Sequence, residues 1–340
     1  MITDRQKETL KIIIEEYVRT AEPVGSKSIS DRLNVSSATV RNDMAALEAE
    51  GYIDKTHSSS GRVPLEKGYK LYVESLMKES DEEFEEKSFA LIDSVFAQAI
   101  VEREDAIKKA CSLLSEMTSY TSLALGPDTS TNRLSEIELV PLRGDNYLMI
   151  VITDTGYVES KQVVFTDEEV NIDELKNVVS ILNDVLKGTP LSEVSFRLKY
   201  ITDNKLIQEF INYRQNIIDN FINAFMQFAE TNYYISGSSN MLAQPEFQDS
   251  NKMKKLIDVF EKKELIKIIK SNSNQNVSIK IGSETGLEAL DDTSIITVPY
   301  ENDKGEKCEI AVIGPTRMNY KRVISLVKYL AKDISKYYKK

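Results

Sequence analysis

Between Ser36 and Gly61 the chain gathers side chains that could read the edge of a base pair. Ser37, Thr39, Arg41 and Asn42 are short or planar hydrogen-bonding groups packed into the first turns of an expected helix. Val40, Met44 and Leu47 fall at i, i+4 and i+7, which makes one face apolar and leaves Ser37, Thr39, Arg41, Asn42 and Glu48 on the other. A helix laid in the DNA major groove presents its base-reading side chains from these N-terminal turns. Other chemistries lack their parts. The chain has one histidine, His57, and two cysteines, Cys111 and Cys308, set far apart. Multi-histidine metal sites and a disulfide framework are excluded by number, and a catalytic triad could form only around His57. No cofactor is expected and no metal site.

The elements that would position those residues follow from the flanking pattern. Ser36 is suited to accept an orphan N–H of the first turn, and Gly51 can end the helix in the left-handed region. Many ordinary surface helices share such a stripe, so the context discriminates. A capping box at Thr3 and Gln6 opens a first helix with Leu10, Ile13, Ile14 and Tyr17 inward. Pro23 turns the chain, and Ser26 is read as the cap of a second helix carrying Ile29 and Leu33. The turn Asn34-Val35-Ser36 leads to the third helix. Short strands at 52–56 and 62–64 then flank the tip Ser58-Ser59-Ser60-Gly61. Helix, turn, helix and flexible hairpin make a winged helix-turn-helix pattern.

The 340 residues allow two or three domains and a large core. Net charge is −11, yet residues 1–78 hold twelve basic and twelve acidic residues, so the acidity lies in the rest of the chain. A neutral head on an acidic body can bind DNA if its positive groups share one face, and would be a weak non-specific binder because the acidic body repels phosphate. Met1-Ile2-Thr3-Asp4 runs straight into a charged helix and no apolar run is long enough to span a membrane. A cytoplasmic protein without membrane contact is expected. An acidic run from Glu79 to Glu86 marks a boundary, and a helical connector follows it. From Tyr120 the pattern turns to strands with two Gly-containing turns, read as consecutive hairpins. A helix is expected over 173–187 and a long helical stretch over 206–229. Its stripe of Leu206, Phe210, Ile217, Phe221, Phe225 and Phe228 is widened by further isoleucines. Either that helix is central to its domain or a second subunit covers it. A helix at 252–269, strands near 276–282, 294–300 and 307–314, and a closing helix at 319–338 complete the chain. The turn Gly314-Pro315-Thr316-Arg317 could hold an anion, but a structural strand-to-helix turn is favoured, with Arg317 able to anchor a carboxylate.

Specific residues carry a family resemblance. Pro23-Val24-Gly25-Ser26, Ser37 to Met44, Leu47-Glu48, Gly51-Tyr52, His57-Ser58-Ser59, Gly61-Arg62-Val63-Pro64 and Lys67-Gly68-Tyr69 resemble the N-terminal part of the heat-inducible transcription repressor HrcA family. Ile310 to Tyr320 resembles that family's C-terminal signature, and Gly237, Asn240, Leu242 and Pro245-Glu246-Phe247 are similar to family positions. Ser60 and Leu65 depart from the pattern, and Leu65 removes a possible helix cap. The resemblance implies an α+β protein: a winged helix-turn-helix over 1–78, a helical connector over 79–118, and a GAF-like antiparallel sheet domain. That sheet domain is expected from 119–167 and 248–340, with a largely helical dimerising insertion over 168–247. It implies a homodimeric repressor of heat-shock chaperone genes on an inverted-repeat operator of double-stranded DNA, released on heat stress and dependent on a GroE-type chaperonin. Ser37, Thr39, Arg41 and Asn42 are then the base-edge candidates. Ser26, Lys27, His57, Ser59 and Arg62 are the phosphate or wing candidates. A rival reading is a metabolite-responsive repressor whose GAF-like domain binds an effector. An enzyme with an accessory DNA head lacks the histidines and metal ligands it would need.

Overall fold

The computed structural model describes residues 2–55, 61–78, 90, 92, 103–127, 129, 131–165, 172–202, 221–225, 233–261, 264–270, 276–302 and 305–338. They fall into two compact units, one of residues 1–126 and 233–340, the other of residues 127–232.

The first unit begins with α1 (Asp4–Thr20), which opens on the reciprocal Thr3–Gln6 capping box. α2 (Ser26–Leu33) starts from Gly25 without a side-chain cap, so Ser26 is its first residue rather than the cap expected from sequence. The cause lies across the chain: Val24 and Arg62 exchange two backbone hydrogen bonds of 2.9 Å, which keep the backbone extended up to Gly25. α3 (Ser37–Ala49) is capped as expected, the Ser36 hydroxyl accepting from Thr39 N at 3.1 Å. β1 (Ile53–Lys55) and β2 (Arg62–Pro64) pair antiparallel, Ile53 opposite Pro64 and Lys55 opposite Arg62. α4 (Glu66–Leu76) follows Leu65, which supplies no side-chain cap. Leu10, Ile13, Ile14, Ile29, Val40, Leu47 and Ile53 are all buried inside this winged head.

α5 (Arg103–Thr118) leads to β3 (Thr121–Leu125), the first strand of the sheet domain. The other strands come from far along the chain: β7 (Tyr233–Ser236), which the sequence reading did not anticipate, β8 (Ser278–Ile281), β9 (Thr293–Glu301) and β10 (Lys307–Pro315). They form one sheet of order β7-β3-β10-β9-β8, antiparallel at every junction. Alternation on β10 sends Ile310 and Val312 to one face and Ala311 and Ile313 to the other. The first face packs on the closing helix, Tyr320–Tyr338, and on α5; the second packs on Leu256, Val259, Leu265 and Ile269. Those residues lie in the helical segments Ser250–Glu261 and Glu264–Lys270, within the stretch 252–269 expected to be helical.

The second unit holds a separate three-stranded meander, β4 (Leu134–Pro141), β5 (Asn146–Thr153) and β6 (Val158–Val164), in that order. α6 (Ile172–Leu186) and α7 (Leu191–Thr202) belong to it. The domain borders expected from sequence are corrected on both sides. Residues 127–167 belong to the insertion, because among the described residues β4 to β6 pair with one another and bury one face under their own helices. Residues 233–247 belong to the sheet domain, because β7 pairs with β3.

Of the residues proposed for a dimer contact, Phe221 and Phe225 are buried in this unit's own core, with Phe221 5.4 Å from Phe165 between ring centroids. These two rings are covered from within their own unit. Leu206, Phe210, Ile217 and Phe228 lie outside the described residues.

Candidate nucleic-acid interface

α3 is fixed from both sides before it meets any ligand. Asp43, 3% exposed, takes Arg5 in a two-point pair, Nε–Oδ2 2.7 Å and Nη2–Oδ1 3.1 Å, which ties α3 to α1. The same hydrogen bonds raise Arg5 above its ordinary value, so it stays cationic. Ser30 and Ser37 share a hydroxyl contact of 3.1 Å that ties α2 to α3.

This bracing sorts the base-edge candidates. Arg41 and Asn42 are exposed and make no hydrogen bond or ion pair among the described residues. Ser37 is half-buried against Ser30, and Thr39 sits 2.9 Å from the Ser36 hydroxyl, so both also serve the local frame. Ala38 and Ala45, which the sequence reading passed over, are exposed on the same stripe as Arg41 and Asn42. The signal was the spacing 38, 41, 42, 45, the polar counterpart of the apolar i, i+3, i+4, i+7 rule. Side chains this small let a helix backbone approach a groove closely.

Arg62 stands differently from the phosphate contact expected of it. It pairs with Glu48 of α3, Nε–Oε2 2.8 Å and Nη2–Oε2 2.7 Å, and only 16% of its side chain is exposed. β2 therefore carries a cation that ties the base of the wing to α3. Gly61 beside it permits the approach, since a Cβ there would lie 2.8 Å from the Pro23 backbone. Lys27 is exposed and Ser26 half-buried at the start of α2. His57 and Ser59 lie outside the described residues.

Arg317, in the turn after β10, donates to Glu246 at 2.5 Å and to Gln244 at 3.2 Å. The Gly314–Arg317 turn is the structural strand-to-helix turn favoured from sequence, with Arg317 held by a carboxylate.

Comparison with known proteins agrees with this geometry. Residues 104–324 match the family model described as HrcA protein C terminal domain, and residues 9–70 match a model described as HTH domain. The heat-inducible transcription repressor HrcA of Acholeplasma laidlawii is 41% identical over 341 residues, covering 100% of this chain and 98% of the relative. That of Bacillus pumilus is 40% identical, covering 98% and 97%. A solved structure described as "Crystal structure of a hypothetical protein at 2.2 A resolution" superposes with a TM-score of 0.65 at 23% identity, covering 99% of each chain, and shows the shared fold. No helix among the described residues is long and apolar enough to cross a membrane. With a helix-turn-helix match at one end and a family match through the rest of its length, the chain belongs to the heat-inducible transcription repressor HrcA family, whose members are DNA-binding repressors rather than enzymes.

Proposed function

We propose that this repressor acts as a homodimer on an inverted-repeat operator of heat-shock chaperone genes, lets go on heat stress, and reaches its active form with the help of a GroE-type chaperonin. The observation that carries the operator reading is the pair Arg41 and Asn42, exposed on a helix braced by Arg5–Asp43 and Ser30–Ser37. Arg can meet guanine and Asn adenine through paired hydrogen bonds, and the methyls of Ala38 and Ala45 suit thymine methyls. Lys27 and Ser26, at the start of α2, are the phosphate contacts of this reading, and such contacts position a head without carrying sequence information.

One such helix makes few base contacts, and a head without net positive charge adds little to them. Two heads on one dimer convert the second half-site into an intramolecular event worth roughly 10²–10⁴ in affinity, and two-fold protein symmetry matches an inverted repeat. The insertion is the proposed dimerising unit. With Phe221 and Phe225 inside its core, its outward apolar side chains become the better candidates: Phe196, 77% exposed, with Val158 and Val164 on the edge strand β6. The test is a gel shift of full-length protein on the DNA upstream of its own operon, with sedimentation to give the mass. A two-fold symmetric footprint from a dimer is expected. A monomer, or equal affinity for scrambled duplex, would remove this reading.

A further inference from the structure

The winged head and the sheet domain share more than a tether. Tyr69, Tyr72 and Val73 of α4 belong to the same continuous apolar cluster as Ile281, Tyr320 and Ile324 of the sheet domain. Tyr69 and Tyr320 stand with ring centroids 6.0 Å apart. Both are buried, and burial pushes both hydroxyls far above the ordinary tyrosine range. Domains joined only by a small polar contact are free to move against one another; a shared apolar core narrows that freedom and leaves the final angle to the groups at its rim.

A polar clamp closes the rim of this seam. Glu66, in the first turn of α4, accepts from Ser283 N at 3.1 Å and from the Ser283 hydroxyl at 2.7 Å. Lys70, one turn on, bridges Glu66 at 2.6 Å and Glu284 at 3.2 Å. Glu284 is itself anchored, accepting from Ile281 N at 2.9 Å. Gly282 makes the approach possible. Its φ is +53°, and a Cβ there would lie 2.6 Å from the Glu66 carboxylate and 3.0 Å from the Asp291 carbonyl, so a larger residue would force the loop away. Burial works to raise the Glu66 carboxyl, but its bonds from Lys70 and Ser283 outweigh this and hold it below the usual value.

We propose that the clamp of Glu66 and Lys70 on Ser283 and Glu284 is a positioning device for operator binding: it sets the angle at which the sheet domain presents α3, and so the half-site spacing the repressor accepts. The proposal rests on the paired-head reading above. None of the hydrogen bonds or ion pairs made by the Glu66, Lys70, Ser283 and Glu284 side chains reaches α3, so the clamp acts through orientation. The gain from a second head is largest when the link between heads matches the span of the half-sites, and it falls when the link is loose. Opening the clamp would therefore cost affinity for the paired site while leaving the single site untouched.

The experiment uses full-length protein carrying Glu66→Ala or Ser283→Ala, with Glu66→Gln as the conservative variant that still accepts from Ser283. Each is titrated against a single half-site, the full operator, and operators with the half-sites moved apart or together by a few base pairs; sedimentation reports the mass. The expected result for Glu66→Ala is at least about 10-fold weaker binding to the full operator, out of the ~10²–10⁴ that pairing supplies. It should also show a flattened spacing preference, unchanged half-site affinity and unchanged mass. Glu66→Gln should regain most of the spacing preference. Unchanged spacing preference in Glu66→Ala, or equal losses on half-site and full operator, would overturn the positioning role. A monomeric wild type would remove the paired-head reading, and this proposal with it.

Discussion

Arg41→Ala and Asn42→Ala delete the two exposed, unengaged hydrogen-bonding side chains of α3. Each is expected to lower discrimination between operator and scrambled duplex by about 1–3 kcal/mol, the worth of one bidentate base contact, with little change in thermal stability. Parallel titrations on the two duplexes measure it, and unchanged ratios would move base reading elsewhere. Arg62→Ala belongs to a different kind of change. Its charge is already matched by Glu48 at 2.7 Å, so no counterion-releasing contact is lost and the salt slope of binding should stay as in wild type. What is lost is the hold of the wing on α3. Arg62→Ala and Glu48→Ala should each lower stability by about 1 kcal/mol and should not add in the double mutant, because both remove one pair. A salt slope shallower by one would restore the phosphate role. The types of these residues were legible in the sequence; their partners were not. Nothing in the spacing of Glu48 and Arg62 tells whether a cation at the base of a wing turns outward to phosphate or inward to a carboxylate.

At the scale of elements, local chemistry wrote the helix ends clearly. Thr3–Gln6 and Ser36–Thr39 cap as their types demand, and Gly51 and Gly188 take the left-handed conformation their positions suggest. The start of α2 was displaced from its expected cap by the Val24–Arg62 bridge, a pairing between segments 38 residues apart that no local signal carries. β7 carries no hairpin signal, because the strand it pairs with, β3, lies far earlier in the chain. Gly68, read as part of a family motif, has a physical reason in the fold: a Cβ on it would come within 2.3 Å of the Tyr52 carbonyl, where α4 crosses the wing. Gly68→Ala must push those elements apart and is expected to lower stability by roughly 1–3 kcal/mol, as overpacking does. Thermal unfolding of the full chain gives the number, and an unchanged midpoint would show that the crossing yields without strain.

For the whole molecule, the apolar periodicity revealed which segments are strands but not which sheet each joins. Tyr120 to Leu125 and Leu134 to Leu142 look alike in sequence, yet β3 enters the five-stranded sheet and β4 the insertion. The difference lies in their partners: β3 buries all five residues between β7 and β10, whereas β4 keeps an exposed side. A sheet completed around an insertion folds late and exposes apolar surface until then. Refolded alone, the chain should recover less operator binding than with a GroE-type chaperonin and ATP. Full spontaneous recovery at physiological temperature and concentration would count against chaperonin control through folding. The strand order also sets a clock on the ribosome. Residues 121–125 of β3 leave the exit tunnel long before residues 309–313, the strand segment they pair with. At roughly 5–20 residues per second, the nascent chain waits on the order of 10–40 s with a central strand unpartnered along that edge. Every new copy of this repressor therefore passes through a period, set by translation speed, in which one edge of its central strand waits for a partner not yet made.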